Sequence, residues 1–191
     1  MPEPLVLLFH EGTTTSLSRC DEHSFSVFGG PLEAEVKSAL PLARPLHHVA
    51  TVNHNHLSVL GAPSYVWEVP LVYGLFYSGC VLKYSFERAS LNVEAIEPCI
   101  PNERWPYTNY PLLLPYAPLE VGSLEPESWD QFSRRASNMP ETQPSELVVL
   151  VPPPATLGFS MWGRGGDAEG VTLVFECSLQ HKRVVAYNVC G

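Results

Sequence analysis

The sequence has little positive charge. Its 191 residues include 11 Lys and Arg against 20 Asp and Glu, which gives a formal net charge of −9. No dense Lys/Arg cluster is present, and the only adjacent arginine pair is Arg134-Arg135. Phosphate backbones and anionic membranes repel such a charge balance, so neither nucleic acid nor a membrane is an expected partner. A basic protein or a cationic small molecule fits the charge better.

Long apolar runs and paired cysteine motifs are also missing. No apolar stretch approaches the roughly 18 residues of a membrane-spanning helix. The N-terminal segment MPEPLVLLFHEG has no basic region before its short apolar run, so no signal peptide is expected. The five cysteines contain no C-x-x-C pair. An odd number of thiols with apolar neighbours predicts buried free cysteines in a reducing, cytoplasmic setting.

Proline is abundant, and its 19 copies disfavour long helices. We predict a single globular domain, 1–191, of the α+β class: a predominantly antiparallel β-sheet with two short helices packed on it. One helix is expected within residues 29–41, where Leu32, Val36 and Leu40 repeat at i, i+4, i+8. The other is expected within residues 125–138, where Trp129, Phe132 and Ala136 share a face.

Alternating and apolar runs predict the strands. Strands are expected at 5–10, 23–30, 112–114 and 146–151, with a polar loop across 10–23. Two hairpins are expected. The first spans 69–86 around Ser78-Gly79, a dipeptide suited to a tight turn, and the second spans 170–190.

Four of the seven histidines lie within HHVATVNHNH, residues 47–56. If this segment is a strand, His54 and His56 point the same way and predict a metal site, with His47 as a further ligand for a divalent transition metal. The H-x-H pair is similar to the first half of the cupin metal motif, but the next glutamate, Glu68, is twelve residues past His56 and departs from that spacing. The alternative is a polar strand face or strand end without a metal.

Aromatic side chains lie in or beside the proline-rich loops. Such residues on stiff loops make good contact anchors, because little entropy is lost on binding. The alternative is that they cap the ends of the core. The predicted binding residues are these aromatics together with an acid in the glycine-rich segment 163–170: Trp67, Trp105, Tyr107, Tyr110, Trp162 and Asp167.

Three stretches resemble the YwqG-like family of bacterial proteins. Met161, Trp162 and Gly163 are similar to that family's Met-Trp-Gly-Asp element, with Asp167 matching after an insertion. NERWPYTNYPLLL is similar to its Trp-Pro followed by an apolar strand, and LGAP to its Gly-Gly-x-Pro. The resemblance covers about a third of the chain. It implies a β-rich globular protein without a recognisable catalytic centre, because the family has no generally established activity.

These observations predict a non-enzymatic binding protein that needs no cofactor. Small acidic bacterial proteins include immunity factors that block a toxin, so an immunity-type or inhibitory partner of a basic protein is the expected role. Two alternatives remain open. One is a metal-dependent enzyme that uses a His47/His54/His56 cluster, and the other is a small-molecule pocket lined by Trp105, Tyr110 and Trp162.

Overall fold

A computed structural model describes residues 3–77, 79–102, 104, 106–143, 145–162 and 171–190. The strands among them are β1 (Pro4–His10), β2 (Thr13–Arg19), β3 (Ser26–Phe28), β4 (Glu35–Ser38), β5 (His47–Asn53), β6 (Glu68–Tyr73), β7 (Val81–Glu87), β8 (Ser90–Glu97), β9 (Ala117–Val121), β10 (Glu125–Pro126), β11 (Leu147–Val151), β12 (Val171–Ser178) and β13 (Arg183–Cys190). The helices are α1 (His54–Ser58), α2 (Trp129–Ser133) and a 3₁₀ turn, Ala155–Leu157.

All thirteen strands belong to one sheet. Its order is β4-β8-β7-β13-β12-β11-β1-β2-β9-β3-β5-β6, and β10 pairs beside β9 on β2. The β4–β8 pair is parallel, and the other pairs of the described sheet are antiparallel. An antiparallel sheet with two short helices is therefore confirmed. In the described part of the chain α1 and α2 have five residues each, too few for a membrane span.

Apolar side chains bury both faces of the sheet. The larger core contains Leu8, Leu17 and Phe175 among many others. On the opposite face, Phe132 of α2 is completely buried and its ring lies 5.0 Å from that of Phe9. A capping box fixes the start of α2, since the Ser128 hydroxyl accepts from the Gln131 amide and the Gln131 side chain accepts from the Ser128 amide. The second predicted helix is thus confirmed, although it is shorter than expected.

The last strand of the order, β6, is buried because the sheet curls back on itself. The Tyr84 hydroxyl of β7 donates to the Pro70 carbonyl over 2.8 Å and accepts from the Val72 amide over 3.2 Å. Both backbone groups belong to β6. The tyrosine side chain therefore takes the place of a neighbouring strand, which satisfies backbone groups that would otherwise be buried without partners.

The hairpin predicted at 69–86 is wrong. Strand β6 pairs with β5, whereas β7 pairs with β8 and β13. The C-terminal hairpin is confirmed, because β12 and β13 pair continuously from Val171↔Cys190 to Ser178↔Arg183. The strand predicted at 112–114 is also absent, and β9 forms a few residues later instead.

Two segments take a conformation that the sequence did not suggest. The helix predicted within 29–41 is an extended loop followed by β4, and Val36 is 39% exposed, so its apolar stripe has no core to face. The predicted polar loop 10–23 contains β2, whose Leu17 is fully buried. The cysteines also differ from expectation. All five are free thiols, but only Cys80 and Cys177 are buried.

Candidate functional site

The predicted aromatic anchors divide between surface and core. Trp67 is 62% exposed and Tyr107 is half-buried, whereas Tyr110 and Trp162 are buried. Tyr110 packs edge-on against Tyr107, with ring centroids 5.0 Å apart. Tyr110 and Trp162 therefore close one side of the core, and Trp67 alone of these four is well exposed. Trp105 and Asp167 lie outside the described residues.

The structure changes the geometry expected of the histidines. His54 and His56 lie in α1 and not on a strand, because Asn53 caps the helix with its side chain. His47 is buried in β5, where its Nε2 lies 2.9 Å from the Pro111 carbonyl oxygen and its ring packs on Phe76. Among the described residues, no three His, Cys, Asp or Glu side chains form a group that could hold a metal. The metal site stays a prediction without a supporting geometry.

A different set of side chains converges over the sheet end formed by β3, β5 and β6. A pocket of about 300 Å³ opens there. Its floor is a row across the three strands, since Val27 pairs with Thr51 and Thr51 with Pro70. The loop of residues 31–34 forms one wall and brings Glu33 to the pocket. We call this the acidic pocket, defined by Glu33, His48, Thr51 and Glu68 with Phe25 and Tyr116 at its mouth.

An irregularity in β5 builds the base of the acidic pocket. The register with β6 shifts between His48 and Ala50, which leaves Val49 without a partner residue. Side chains three apart on a regular strand point to opposite faces, but this shift lets His48 and Thr51 line the same pocket. The His48 Nε2 atom lies 2.8 Å from the Thr51 hydroxyl oxygen.

Glu68 and Glu33 give the pocket its negative charge. Glu68 is half-buried at the start of β6, opposite Asn53 of β5, and Glu33 is exposed. Burial raises the pKa of Glu68 above its ordinary value, and the nearby charge of Glu33 raises it further, against a partial opposing effect of Arg88. Among the described residues, neither carboxylate has a Lys, Arg or His nitrogen within ion-pair distance.

His48 is a buried histidine at the base of the acidic pocket. The residue is 6% exposed, and its Nδ1 makes no hydrogen bond of ordinary geometry with the described residues. Burial lowers the pKa of His48, while the carbonyls of Gly30, Gly29 and Ala50 and the charge of Glu33 oppose that effect. The neutral imidazole is favoured, and one ring nitrogen of a neutral imidazole is a hydrogen-bond acceptor.

The Thr51–His48 contact has the form of a hydroxyl beside a base. A catalytic dyad of that kind needs a third group to orient the base. No described residue is hydrogen-bonded to Nδ1 to do so. The pocket therefore offers acceptors for a bound group and not an assembled nucleophile.

Aromatic side chains border the acidic pocket. Phe25 is 70% exposed and Tyr116 is 55% exposed, and both line it. Glu68 also borders a shallow depression beside Trp67 and Arg88, whose guanidinium carbon lies 5.6 Å from the Trp67 ring centroid. The predicted anchor Trp67 and the acidic pocket are therefore neighbours on one surface.

A second, larger groove of about 420 Å³ lies between β2, the β9–β10 connection and Arg135, which follows α2. Its lining includes five Ser and Thr residues and two glutamates, and its cation, Arg135, is already paired with Glu127 over 2.9 Å. This groove has no aromatic side chain and no buried polar atom without a partner among its lining residues. The smaller acidic pocket is therefore the better candidate for a ligand-binding site.

The sequence predicts Trp67 as a binding residue but does not predict the four polar residues of the acidic pocket, Glu33, His48, Thr51 and Glu68. The apolar spacing of residues 29–41 predicts a helix around Glu33, and the predicted histidine site contains His47, His54 and His56 but not His48. Glu68 enters the sequence prediction only as a glutamate whose spacing departs from the cupin motif. A usable signal was the position of Glu68, a charged residue that opens the otherwise apolar strand EVPLVY.

The chain matches no protein-family model, no curated protein and no solved structure. Its resemblance to the YwqG-like family is not tested by these comparisons and stays a prediction.

Proposed function

We propose that this chain is a non-enzymatic binding protein whose partner is basic, and that a cationic side chain of the partner enters the acidic pocket. The observation that carries the proposal is a pair of acids, Glu33 and Glu68, that share a pocket without a counter-ion from the described residues. Half-burial of Glu68 makes its charge costly in the free protein. A cation from a partner would offset that cost.

The surroundings of the pocket favour a macromolecular partner. Phe25, Tyr116 and Trp67 are large, exposed and adjacent to the two acids. Exposed aromatic side chains around a desolvated charge are the arrangement expected of an interface hot spot. The net charge of −9 would also accelerate the approach of a basic partner. An inhibitory or immunity-type role is the form of this function that fits the resemblance drawn from the sequence.

The test compares three immobilised forms of the full chain in an extract of the source cells. They are the wild type, a Glu33→Gln/Glu68→Gln double variant, and Glu141→Gln, which neutralises an exposed loop glutamate that does not line the pocket. Captured proteins are identified by mass spectrometry, purified and titrated by calorimetry against each form.

We expect a partner rich in Lys and Arg, whose affinity falls at least about tenfold with the double variant, a loss of about 1.4 kcal/mol. Glu141→Gln should bind within about twofold of the wild type. A partner that binds the double variant as tightly as the wild type would contradict the proposal, and so would a partner with an acidic contact surface.

A further inference from the structure

We infer that the acidic pocket selects a guanidinium group over an ammonium group, so that the anchoring side chain of the partner is an arginine. This inference rests on the proposed function and adds the identity of the cation. It is drawn from two features of the pocket: its two carboxylates, which have no ion-pair partner among the described residues, and its aromatic mouth.

The acceptors come from different parts of the chain and surround the pocket. Glu33 belongs to the loop after β3, His48 to the middle of β5, and Glu68 to the start of β6. Thr51 lies between His48 and the Asn53–Glu68 pair along the strand. The two carboxylates therefore reach the pocket from separate segments of the chain, a loop and a strand.

A guanidinium group matches that arrangement. It carries five N–H donors in a rigid plane, whereas an ammonium group is a compact, strongly hydrated point charge. One edge of the plane can donate to Glu68 while another donates to Glu33. An ammonium group held by one carboxylate would leave the other acceptors dependent on water.

The aromatic mouth favours the same group. The rings of Phe25 and Tyr116 line the pocket and are mostly exposed, so part of each ring is accessible to a ligand. Guanidinium stacks on aromatic faces and is more weakly hydrated than ammonium, so it loses less hydration on entering a half-buried site. The chain itself contains this type of contact, with the Arg44 guanidinium carbon 4.3 Å from the Phe76 ring centroid.

Arg88 does not fill the pocket itself. It is near enough to Glu68 to oppose the rise in that group's pKa. However, its guanidinium lies over the Trp67 ring and forms no ion pair with Glu68. Arg88 also lines the neighbouring depression and is absent from the lining of the acidic pocket.

The experiment titrates the ¹⁵N-labelled full chain with three capped tripeptides and follows backbone amide shifts by NMR. Their central residue is arginine, lysine or citrulline, flanked by glycines. The arginine and lysine peptides have equal charge, and citrulline keeps the shape of arginine without its charge. Each titration is repeated on Glu68→Gln, Phe25→Leu and the Glu141→Gln control.

We expect the arginine peptide to shift the amides of Asn53 and Glu68 and to bind at least about tenfold tighter than the lysine peptide. Citrulline should cause no saturable shift. Glu68→Gln should weaken arginine binding about tenfold, Phe25→Leu should reduce the preference for arginine, and Glu141→Gln should change neither.

Equal affinity for the arginine and lysine peptides, with both weakened by Glu68→Gln, would overturn the guanidinium inference and leave the proposed function intact. Absence of shifts at the pocket amides with either peptide would overturn the inference as well. The capture experiment needs no peptide, so it would then decide the proposed function separately.

Discussion

Glu68 is a half-buried carboxyl group whose pKa is raised in the folded chain. Its folded pKa is raised, so below the ordinary value of 4.5 the folded and unfolded chains are both protonated at this position. As pH rises through the folded pKa, the folded chain gives up a proton that it holds more tightly than the unfolded chain. Glu68 therefore lowers the free energy of unfolding at neutral pH.

We predict that Glu68→Gln is more stable than the wild type at pH 7 and equally stable near pH 4. Solvent reaches this half-exposed group, so the gain at pH 7 should be below about 1 kcal/mol. Urea unfolding at both pH values measures it, with Glu141→Gln as the matched change. A Glu68→Gln variant that is less stable at pH 7 would show that the carboxylate already has a stabilising partner.

Gly29, at the base of the pocket, combines a left-handed backbone with a close approach of a neighbouring carbonyl group. Its φ is +63°, and a Cβ there would lie 2.2 Å from the Pro115 carbonyl oxygen. Gly158 has nearly the same φ, +61°, but a Cβ at that position meets no atom within 4 Å. A side chain at either glycine would carry the cost of a left-handed backbone, but only at Gly29 would it also collide with neighbouring atoms.

Gly158→Ala should therefore cost about 1 kcal/mol of unfolding free energy, which is the left-handed strain alone. Gly29→Ala should cost at least about 3 kcal/mol, because the backbone around Pro115 must also move. Thermal or urea unfolding of the two variants checks the difference. Equal losses would mean that Pro115 does not approach Gly29 as closely as described.

Strand β5 shows why the fold was easier to predict than the site. Its apolar residues predict burial, but the register shift between His48 and Ala50 depends on pairing with β6, about twenty residues away in the chain. That shift decides that His48 and Thr51 share the pocket. No local pattern in HHVATVN indicates this register shift. The sequence therefore predicts buried β-structure here but does not predict the site.

The helix prediction for residues 29–41 is wrong for a related reason. Its apolar spacing and its prolines are compatible with a short helix, but helical propensity is a weak prior that tertiary context overrides. The segment pairs in parallel with β8, from Glu35↔Ser90 to Ser38↔Val93, and its preceding loop carries Glu33 to the pocket. In contrast, β12 and β13 are neighbours joined by a short turn, and their alternation was sufficient to predict them.

The closure of the sheet at β6 gives a further test. Tyr84→Phe keeps the buried ring but removes the hydroxyl that bonds Pro70 and Val72 of β6. Two buried backbone groups would lose their partner, which should cost roughly 2 kcal/mol. Tyr65→Phe, at a 50% exposed tyrosine, is the control and should change stability by less than about 0.5 kcal/mol. Similar urea midpoints for both variants would contradict this account of the closed edge.

At the level of the whole molecule, the charge and the pocket act together. The net charge of −9 produces a long-range attraction for basic partners, and salt screens it over roughly 10 Å at 0.1 M. The pocket contributes a short-range interaction that salt screens less, because the site is partly buried. Increasing the salt concentration should therefore slow association with a basic partner more than it speeds dissociation.

In the proposed function, burial in the acidic pocket disfavours the charged form of Glu68, and a bound cation stabilises that charged form. The most direct measurement is the NMR titration of the Glu68 side-chain carboxyl carbon, without and with saturating arginine tripeptide. We predict a pKa above 4.5 in the free protein that falls when the peptide is bound, because the cation stabilises the charged form. A Glu68 that titrates at its ordinary pKa and is unchanged by the peptide would contradict the account.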